Sequence, residues 1–322
     1  MKQWTYNSLV KQLTKKKEGK IQLVSFMDDY EDRVEVLTYV SHTTSEIRLK
    51  NSYGDSYYID ADSVHKVKKI KWVKKDFFQK MKTVTDAKVP KTQDLHVGIE
   101  LEFISKLGHN DLKIMLVEAG LEENVVLKDD GSIDTEGVFE HSHEMCILAT
   151  ERTFARVVKK VCTILAKNST VNESCGMHVH LDMRNRDKEL AYKNLFSAQP
   201  LLYSMVPKSR REGTYSCFRD RYESFENGWG ERYVGVNKTA FSTHKTIEIR
   251  IHSGSLNYEK IVNWVRLLIK IANGKQHIVH LMTDFALVKK QYRIGGRLEK
   301  YIKERLKKFE KQSSRFKYKV AV

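Results

Sequence analysis

Three short segments of this 322-residue chain alternate polar and apolar residues with the period of a β-strand. Their polar members are carboxylates, imidazoles and one guanidinium: Glu100 and Glu102, His178 and His180, and Glu248 and Arg250. Successive side chains of a strand point to opposite faces, so each polar pair shares one face and the interleaved apolar residues share the other. If the three strands join in one sheet, one face is core and the other is a polar platform.

This polar face predicts a site for divalent metal ions that hold a polyphosphate. Carboxylates and imidazoles bind such ions, and arginine binds phosphoryl oxygens. The alternative is a solvated outer sheet face. Solvated faces usually mix Lys, Thr, Ser and Glu, whereas these three segments supply only groups that are typical of sites. The pattern therefore favours a functional face.

The composition is that of an ordered globular protein, with 41% hydrophobic residues and only 3 prolines. The length allows one large domain and a smaller one. No apolar run approaches the ~20 residues of a membrane span, and the first residues lack the pattern of a signal peptide. The 4 cysteines show no CxxC pairing and are expected to be reduced thiols. We therefore expect a soluble, cytoplasmic protein with no membrane partner.

The excess positive charge lies at the two ends of the chain. Of a net charge of +16, residues 1–90 hold 18 Lys+Arg against 12 Asp+Glu, and residues 285–322 hold 13 against 3. The middle of the chain is neutral. Basic ends around a neutral centre favour docking to an acidic partner, with nucleic acid the first candidate. The alternative is that these ends only aid solubility.

The order of elements predicts an α+β fold in three parts. Residues 1–88 are expected to form a small basic β-barrel-like module, in which residues 19–72 are all-β and of SH3-like barrel type because short β-prone segments are separated by turn signals. Residues 89–284 alternate strands and helices and would form the catalytic domain, an antiparallel or mixed sheet with helices on its apolar side. Residues 285–322 would be a basic helical extension. Pro90 marks the first boundary, near residues 85–92.

Periodicity and turn signals also predict the individual elements. The predicted strands of the first module are Lys20–Phe26, Arg33–Ser41, Ser45–Leu49 and Ser56–Asp60, followed by a basic connection from Lys66 to Lys75. The predicted helices are Glu151–Lys167 with Thr150 as N-cap, Lys188–Val206 as far as the neighbourhood of Pro200, Tyr258–Asn273 and Gly296–Lys311.

Further site candidates lie between the three polar segments. Glu140 and Glu144 are alternatives for another metal carboxylate. His178 and His180 lack a third and fourth ligand at zinc spacing, so one of them is expected to contact a hard metal or a phosphate. Four arginines are candidates for a phosphate grip or for an exposed turn: Arg210, Arg211, Arg219 and Arg221. The sequence has no Gly-rich Walker loop.

Five motifs, in this order, resemble the putative amidoligase family, which belongs to the carboxylate–amine ligase superfamily of glutamine synthetase and glutamate–cysteine ligase. They cover roughly residues 95–275 and read Gly98-Ile99-Glu100-Leu101-Glu102, Asp130-Gly131-Ser132, Ser174-Cys175-Gly176-Met177-His178-Val179-His180, Arg232-Tyr233-Val234-Gly235-Val236-Asn237 and Thr246-Ile247-Glu248-Ile249-Arg250. The chain departs from the family at residues 139–146. There the family usually has an apolar Glu-bearing strand, and this chain has His141 and His143.

The resemblance implies a glutamine-synthetase-like sheet with an open active-site face, and ATP- and Mg²⁺-dependent amide bond formation through an acyl phosphate, with Mn²⁺ as a possible substitute ion. It implies five metal ligands: Glu100, Glu102, Glu144, His178 and Glu248. The implied catalytic residues are Arg250, Glu102 and His178, and the implied nucleotide-binding residues are Arg250, His180, Asn237 and Arg219. The substrates would be a carboxylate and an amine, whose identities the sequence does not give.

Two other functions fit the same residues. A metal-dependent nuclease would use acidic and histidine metal ligands together with basic arms for phosphodiester cleavage. A non-catalytic nucleic-acid-binding protein would use the basic ends alone. The second alternative leaves Glu100, Glu102 and Glu248 without a purpose.

Overall fold

The computed structural model describes residues 4–18, 20–27, 34–51, 54–74, 76–77, 79–80, 94–226, 231–275 and 280–310. The chain forms two compact units, one from residues 1–84 and 110–122 and one from residues 85–109 and 123–322. The predicted boundary at Pro90 lies outside the described residues, as does the basic tail beyond residue 310. The division into three domains at residues 88 and 284 stays a prediction.

The first unit is an antiparallel sheet with a helix packed against it. Its five strands follow the order β4-β3-β2-β1-β5 and are β1 (Lys20–Met27), β2 (Val34–His42), β3 (Glu46–Lys50), β4 (Ser56–Asp60) and β5 (Val67–Lys74). Its helices are α1 (Tyr6–Leu13), a 3-10 helix (Ala61–Lys66) and most of α2 (His109–Glu118). Leu9 and Leu13 of α1 join Leu37, Ile47 and Ile59 of the sheet in one buried cluster.

The four predicted strands of this unit are confirmed to within two residues, although Arg33 lies outside the described residues. α1 precedes the segment 19–72 that was predicted to be all-β, and Thr5 and Ser8 form a reciprocal capping box at the start of this helix. The basic connection from Lys66 to Lys75 is largely a strand, β5, because buried Val67 and Val73 anchor it between the lysines. Among the described residues β4 and β5 are the sheet edges and do not pair with each other.

The second unit is built on a seven-stranded sheet in the order β11-β12-β10-β6-β8-β7, with β9 paired to β6. Its strands are β6 (His96–Ser105), β7 (Val125–Asp129), β8 (His141–Thr150), β9 (Ser169–Thr170), β10 (Gly176–Asp182), β11 (Val236–Asn237) and β12 (Thr246–Ser253). Every pairing between them is antiparallel. The predicted α+β class with an antiparallel sheet is therefore confirmed.

Helices supply the remaining core of this unit. They are α3 (Phe154–Leu165), α4 (Lys188–Ser197), α5 (Gln199–Ser204), α6 (Lys208–Arg211), α7 (Ala240–His244), α8 (Tyr258–Ala272), α9 (Phe285–Gln291) and α10 (Gly296–Phe309), with a 3-10 turn at Thr214–Ser216. α3, α4 and α10 all contact α8, whose apolar stripe includes the fully buried Trp264. No helix in the described part of the chain has the length and apolar character needed to cross a bilayer.

The predicted helices are confirmed, with three differences at their ends. α3 begins at Phe154 with Thr153 as its N-cap, so the prediction of Thr150 as the cap is wrong. Thr150 is the last residue of β8 and donates its backbone N–H to Thr153 Oγ1. The predicted helix is interrupted at Ala198, which separates α4 from α5. Pro200 lies in the first turn of α5, where a missing N–H is tolerated. α10 ends at Phe309, and its apolar stripe is buried.

Candidate metal centre

The three polar segments are central strands of one sheet, and their polar side chains share one face as predicted. The register pairs His178 of β10 with Glu100 of β6, and His180 with Glu248 of β12. The interleaved residues are core: Ile99, Leu101, Phe103, Met177, Val179, Leu181, Ile247, Ile249 and Ile251 are each at most 1% exposed. Burial of this apolar face fixes the register, because a one-residue slip would turn every polar side chain into the core.

Glu100, His178 and Glu248 form the first group of candidate metal ligands, with one ligand atom of each within 4.8 Å of the others. Nδ1 of His178 lies 3.0 Å from Oε2 of Glu100 and 3.6 Å from Oε1 of Glu248. The Nε2 atom on the other side of the same ring lies 3.7 Å from Oε1 of Glu102. One imidazole thus stands between three carboxylates.

His180 completes this group from the next position of β10 on the same face. Its Nε2 lies 3.2 Å from Oε1 of Glu100, and its Nδ1 lies 2.9 Å from the hydroxyl of Thr246. Burial opposes ionisation of Glu100, but hydrogen bonds from His178 and His180 outweigh it and hold the pKa of Glu100 well below its usual range. Burial alone would lower the pKa of His180, and the hydrogen bond and charge of Glu100 raise it instead.

Glu102, Asp130 and Glu144 form a second group on the same face, again with ligand atoms within 4.8 Å. β8 pairs Glu144 directly opposite Glu102, whereas Glu140 is exposed before the strand begins. The register of the sheet therefore places Glu144 on the polar face and Glu140 outside it. Glu102 accepts the backbone N–H of Gly176 over 2.5 Å, which orients its carboxylate.

Cationic side chains border the carboxylates. Arg250 donates from Nη1 to Oε1 of Glu248 over 2.5 Å and from Nε to the carbonyl oxygen of Tyr215 over 3.2 Å. Arg210 donates to the carbonyl oxygen of Cys175, next to the Glu102 carboxylate. Lys128 pairs with Glu144 over 3.1 Å at the more exposed side of the face. Phosphoryl oxygens near Glu102 and Glu248 would thus meet two guanidinium groups.

Two of the predicted phosphate or nucleotide contacts have other partners, and a third is exposed. Arg211 is buried and donates to the carbonyl oxygens of Ser204, Val206 and Phe309, the last residue of α10. Its guanidinium therefore holds the end of α10, and the prediction that it binds phosphate is wrong. The Arg219 guanidinium is half exposed and forms an ion pair with Glu231. Arg221 is exposed. Of the four clustered arginines, Arg210 is the one that the structure brings to the carboxylates.

Asn237, predicted to hold the nucleotide, orients a carboxylate. Its Nδ2 donates to Oε2 of Glu248 over 2.7 Å, and its Oδ1 accepts from the backbone and hydroxyl of Thr239. Asn237 is 2% exposed and pairs with Glu248 across β11 and β12. Both amide atoms are therefore committed to protein partners.

The polar face is less open than the sequence predicts. Glu248 is 5% and Arg250 9% exposed, because the turn at Thr214–Ser216 and the Tyr233 ring lie over β12. The Glu100 and Glu144 side chains remain about one-fifth exposed. Access to the carboxylates is thus greater from the β6–β8 side than from β12.

A cavity of about 280 Å³ adjoins the first group of ligands on this accessible side. Glu100 and His180 form one wall, Leu148 and Ala149 form an apolar wall, and Lys128 and Arg184 supply cations. Gly98 also lines the cavity, and a Cβ there would stand 3.2 Å from the Cβ of His180. A small polar molecule with an apolar part fits such a space.

One comparison bears directly on this face. Residues 208–272 match the family model described as putative amidoligase enzyme. The resemblance to the putative amidoligase family is thereby confirmed. The matched segment includes Asn237, Glu248 and Arg250, whereas Glu100 and His178 precede it. The match supports a ligase-type enzyme. No curated protein matches the chain.

Two members of the face were not predicted as ligands from the sequence. Asp130 belongs to the Asp-Gly-Ser motif, and its carboxylate also accepts from the backbone N–H and the hydroxyl of Ser132. Cys146 lies with Glu100 and Glu144, and burial raises the pKa of its thiol, which keeps it protonated. Glu144 and Cys146 are two residues apart along β8 and therefore share one face of that strand, which is the sequence signal for Cys146.

Proposed function

We propose that the chain is an ATP- and Mg²⁺-dependent carboxylate–amine ligase that works through an acyl phosphate. The observation that carries the proposal is that two neighbouring clusters of candidate metal ligands lie on one sheet face, with Arg210 and Arg250 beside them. Five carboxylates crowd a partly buried surface there, and bound cations would offset the repulsion between like charges at this spacing.

The donor sets fit divalent ions of the Mg²⁺ or Mn²⁺ type, since they are carboxylate oxygens with one imidazole. Glu100, His178 and Glu248 would hold one ion, and Glu102, Asp130 and Glu144 a second. Bound there, the ions would neutralise charge on the phosphoryl oxygens of ATP. Asn237 and the backbone of Gly176 would keep Glu248 and Glu102 aimed at them.

The chain's own groups would position the reactants. Arg250 and Arg210 would bind the transferring phosphoryl group, while the coverage of β12 excludes water from that end. The substrate carboxylate would attack the γ-phosphorus and release ADP, which leaves an acyl phosphate. The amine would then attack the acyl carbon and release phosphate and a proton, forming the amide. Exclusion of water matters because water competes with the amine.

The cavity beside Glu100 and His180 would hold a substrate. Its charged rim, with Lys128 and Arg184, suits a carboxylate, and Leu148 and Ala149 suit a short apolar stem. In this proposal the sheet is of the glutamine-synthetase-like type and the N-terminal unit is an SH3-like accessory module. The enzyme would act in the cytoplasm.

The reaction can be tested by incubating the full-length protein with ATP, Mg²⁺ and pooled amino acids, polyamines and small carboxylic acids. We expect ADP and phosphate release that requires both an acid and an amine, with a product whose mass is their sum less water. Cleavage of plasmid DNA or RNA with Mg²⁺ in the absence of ATP, lost in Glu100→Gln, would instead support a nuclease. Turnover of ATP without any acceptor would also contradict the ligase proposal.

A further inference from the structure

We propose that His109, Asp129 and His143 form a separate binding site for a transition-metal ion of the Zn²⁺ type. The three residues lie at the ends of β7 and β8 and at the start of α2, and their ligand atoms are within 4.8 Å of one another. β7 pairs Asp129 directly with His143, one step from the pairing of Lys128 with Glu144. Because strand side chains alternate, the site faces away from the polar face.

The hydrogen bonding of His143 determines which ring nitrogen can bind a metal. Its Nε2 lies 3.0 Å from the carbonyl oxygen of Leu107. A carbonyl oxygen only accepts, so Nε2 carries the proton and the neutral ring presents a lone pair at Nδ1. Metal-binding histidines commonly donate their second ring N–H to a backbone carbonyl in this way. The His143 ring is therefore held in the tautomer that a metal ligand requires.

The Nδ1 atom of His143 points into the group without a hydrogen bond of its own. The side chain is 1% exposed, and within the described part of the chain Nδ1 has no hydrogen-bond partner, although Oδ1 of Asp129 is 3.3 Å away. A lone pair and a carboxylate oxygen at this distance repel each other unless a cation lies between them. Burial of an unsatisfied nitrogen is also costly. Both costs disappear when a metal ion binds.

The distances also suit a tetrahedral ion. Oδ1 of Asp129 lies 3.0 Å from Nδ1 of His109 and 3.3 Å from Nδ1 of His143. Bonds of about 2.0–2.1 Å at tetrahedral angles place donor atoms about 3.3 Å apart. Two imidazoles and one carboxylate favour Zn²⁺ or a similar ion over Mg²⁺. The exposed Asp129 side chain leaves the fourth position open to solvent.

The site has a neighbour that serves as a matched control. The His141 ring stacks on that of His143 with centroids 6.2 Å apart, but it does not belong to the ligand group. His141 is exposed, as is the Asp129 side chain, so neither residue contributes to the core. The ligase proposal uses none of His109, His141 or His143, so the two sites can be tested apart.

The test is a metal titration of the full-length protein, freed of metal by a chelator and kept in excess Mg²⁺ to fill the polar face. We expect one equivalent of Co²⁺ to bind with the strong visible absorption of a four-coordinate ion, and Zn²⁺ to displace it. Losing a residue that only orients a metal ligand costs about 10- to 100-fold in affinity, so Asp129→Asn and His109→Gln, which remove a ligand, should cost at least about 100-fold. His141→Gln should retain wild-type affinity. Zn²⁺ should raise the Tm of the wild type and of His141→Gln, but not of Asp129→Asn.

Three results would overturn the proposal. They are the absence of four-coordinate Co²⁺ absorption in the wild type, wild-type affinity in both Asp129→Asn and His109→Gln, and an equal loss of affinity in His141→Gln. Circular dichroism of each variant establishes that the fold is retained. Because Asp129 is exposed and asparagine has nearly the same shape, a loss of binding in Asp129→Asn with an unchanged spectrum reports the lost ligand.

Discussion

The side-chain amide of Asn237 donates to Oε2 of Glu248 over 2.7 Å, where both residues are at most 5% exposed. Glu248 accepts from Arg250 through its other oxygen. The carboxylate is thus held from two sides, and its remaining lone pairs point toward His178 and His180. This arrangement makes Asn237 a positioning residue for a proposed metal ligand.

Replacing Asn237 with alanine is expected to lower the affinity for Mn²⁺ by about 10- to 100-fold, the usual effect of losing a partner that orients a ligand. Arg219→Ala is the matched control, because its guanidinium pairs with exposed Glu231. Calorimetric titration with Mn²⁺ measures the affinity of each variant. Equal effects of the two substitutions would contradict the positioning role.

Arg250→Lys is expected to damage turnover nearly as much as Arg250→Ala. The guanidinium donates to Glu248 and to the Tyr215 carbonyl in two directions, and an ammonium group cannot reproduce this fork. Loss of one preorganised donor typically costs about 100- to 1,000-fold in kcat. Steady-state kinetics of the two variants with an identified substrate provide the check. A lysine variant with a near-normal rate would mean that Arg250 acts only as a diffuse charge.

His252 is expected to make the protein sensitive to acid. It is fully buried against Trp264, and burial together with the charge of Arg305 lowers its pKa from 6.5 to about 3. The unfolded chain therefore binds one more proton than the folded chain between these pH values, so stability falls as the pH falls. The contribution of His252 to the free energy of unfolding should drop by about 1.4 kcal/mol per pH unit in this window and be level above it.

Urea unfolding at several pH values tests this expectation. His252→Gln should flatten the dependence between pH 6.5 and 3, whereas His65→Gln, at an exposed histidine, should leave it unchanged. The same slope in wild type and His252→Gln would assign the acid sensitivity to other groups.

The basic ends are expected to bind an acidic partner, with nucleic acid the first candidate. α10 carries exposed Lys300 and Lys307 on one side and buried Leu298 and Leu306 on the other, so charge substitutions are a cleaner test than truncation. Counterion release gives a slope of log affinity against log salt of about −0.9 per phosphate contact on duplex DNA. Lys300→Gln with Lys307→Gln should therefore make the slope shallower by up to about 1.8.

Fluorescence anisotropy with DNA, RNA and an acidic peptide at low and near-physiological salt measures this effect. The control is the pair Lys159→Gln and Lys167→Gln, which removes two exposed lysines from the neutral middle of the chain. No saturable, salt-sensitive binding to any of the three ligands would end the docking hypothesis and leave the ligase proposal untouched.

The sequence was sufficient to predict the polar face, because a two-residue period with fully apolar partners leaves one possible arrangement in a sheet. Glu100, His178 and Glu248 meet as the alternation requires. The sequence was not sufficient for Arg211 or Asn237. Their partners are carbonyl groups and a carboxylate brought close by folding, and a basic or amide residue has no periodicity that reveals this.

Local sequence patterns also failed to predict structure where tertiary contacts outweigh the local composition. β5 is a strand despite its lysines, because alternate Val67 and Val73 are buried while the lysine side chains extend into solvent. The His109, Asp129 and His143 group was missed because its members lie on three elements and only the pairing of β7 with β8 brings two of them together.

The central claim, that the polar face holds a metal-bound nucleotide, can be tested without knowing the substrates. Electron paramagnetic resonance of Mn²⁺ with ATP should show a complex with the full-length protein. Glu100→Gln and Glu248→Gln should lose it while retaining the wild-type Tm, because glutamine keeps the size of the side chain and an acceptor for Arg250. Arg152→Ala, which removes an exposed guanidinium paired with Asp94, should retain the complex. No Mn²⁺–ATP complex with the wild type, or equal binding by both glutamine variants, would contradict the account.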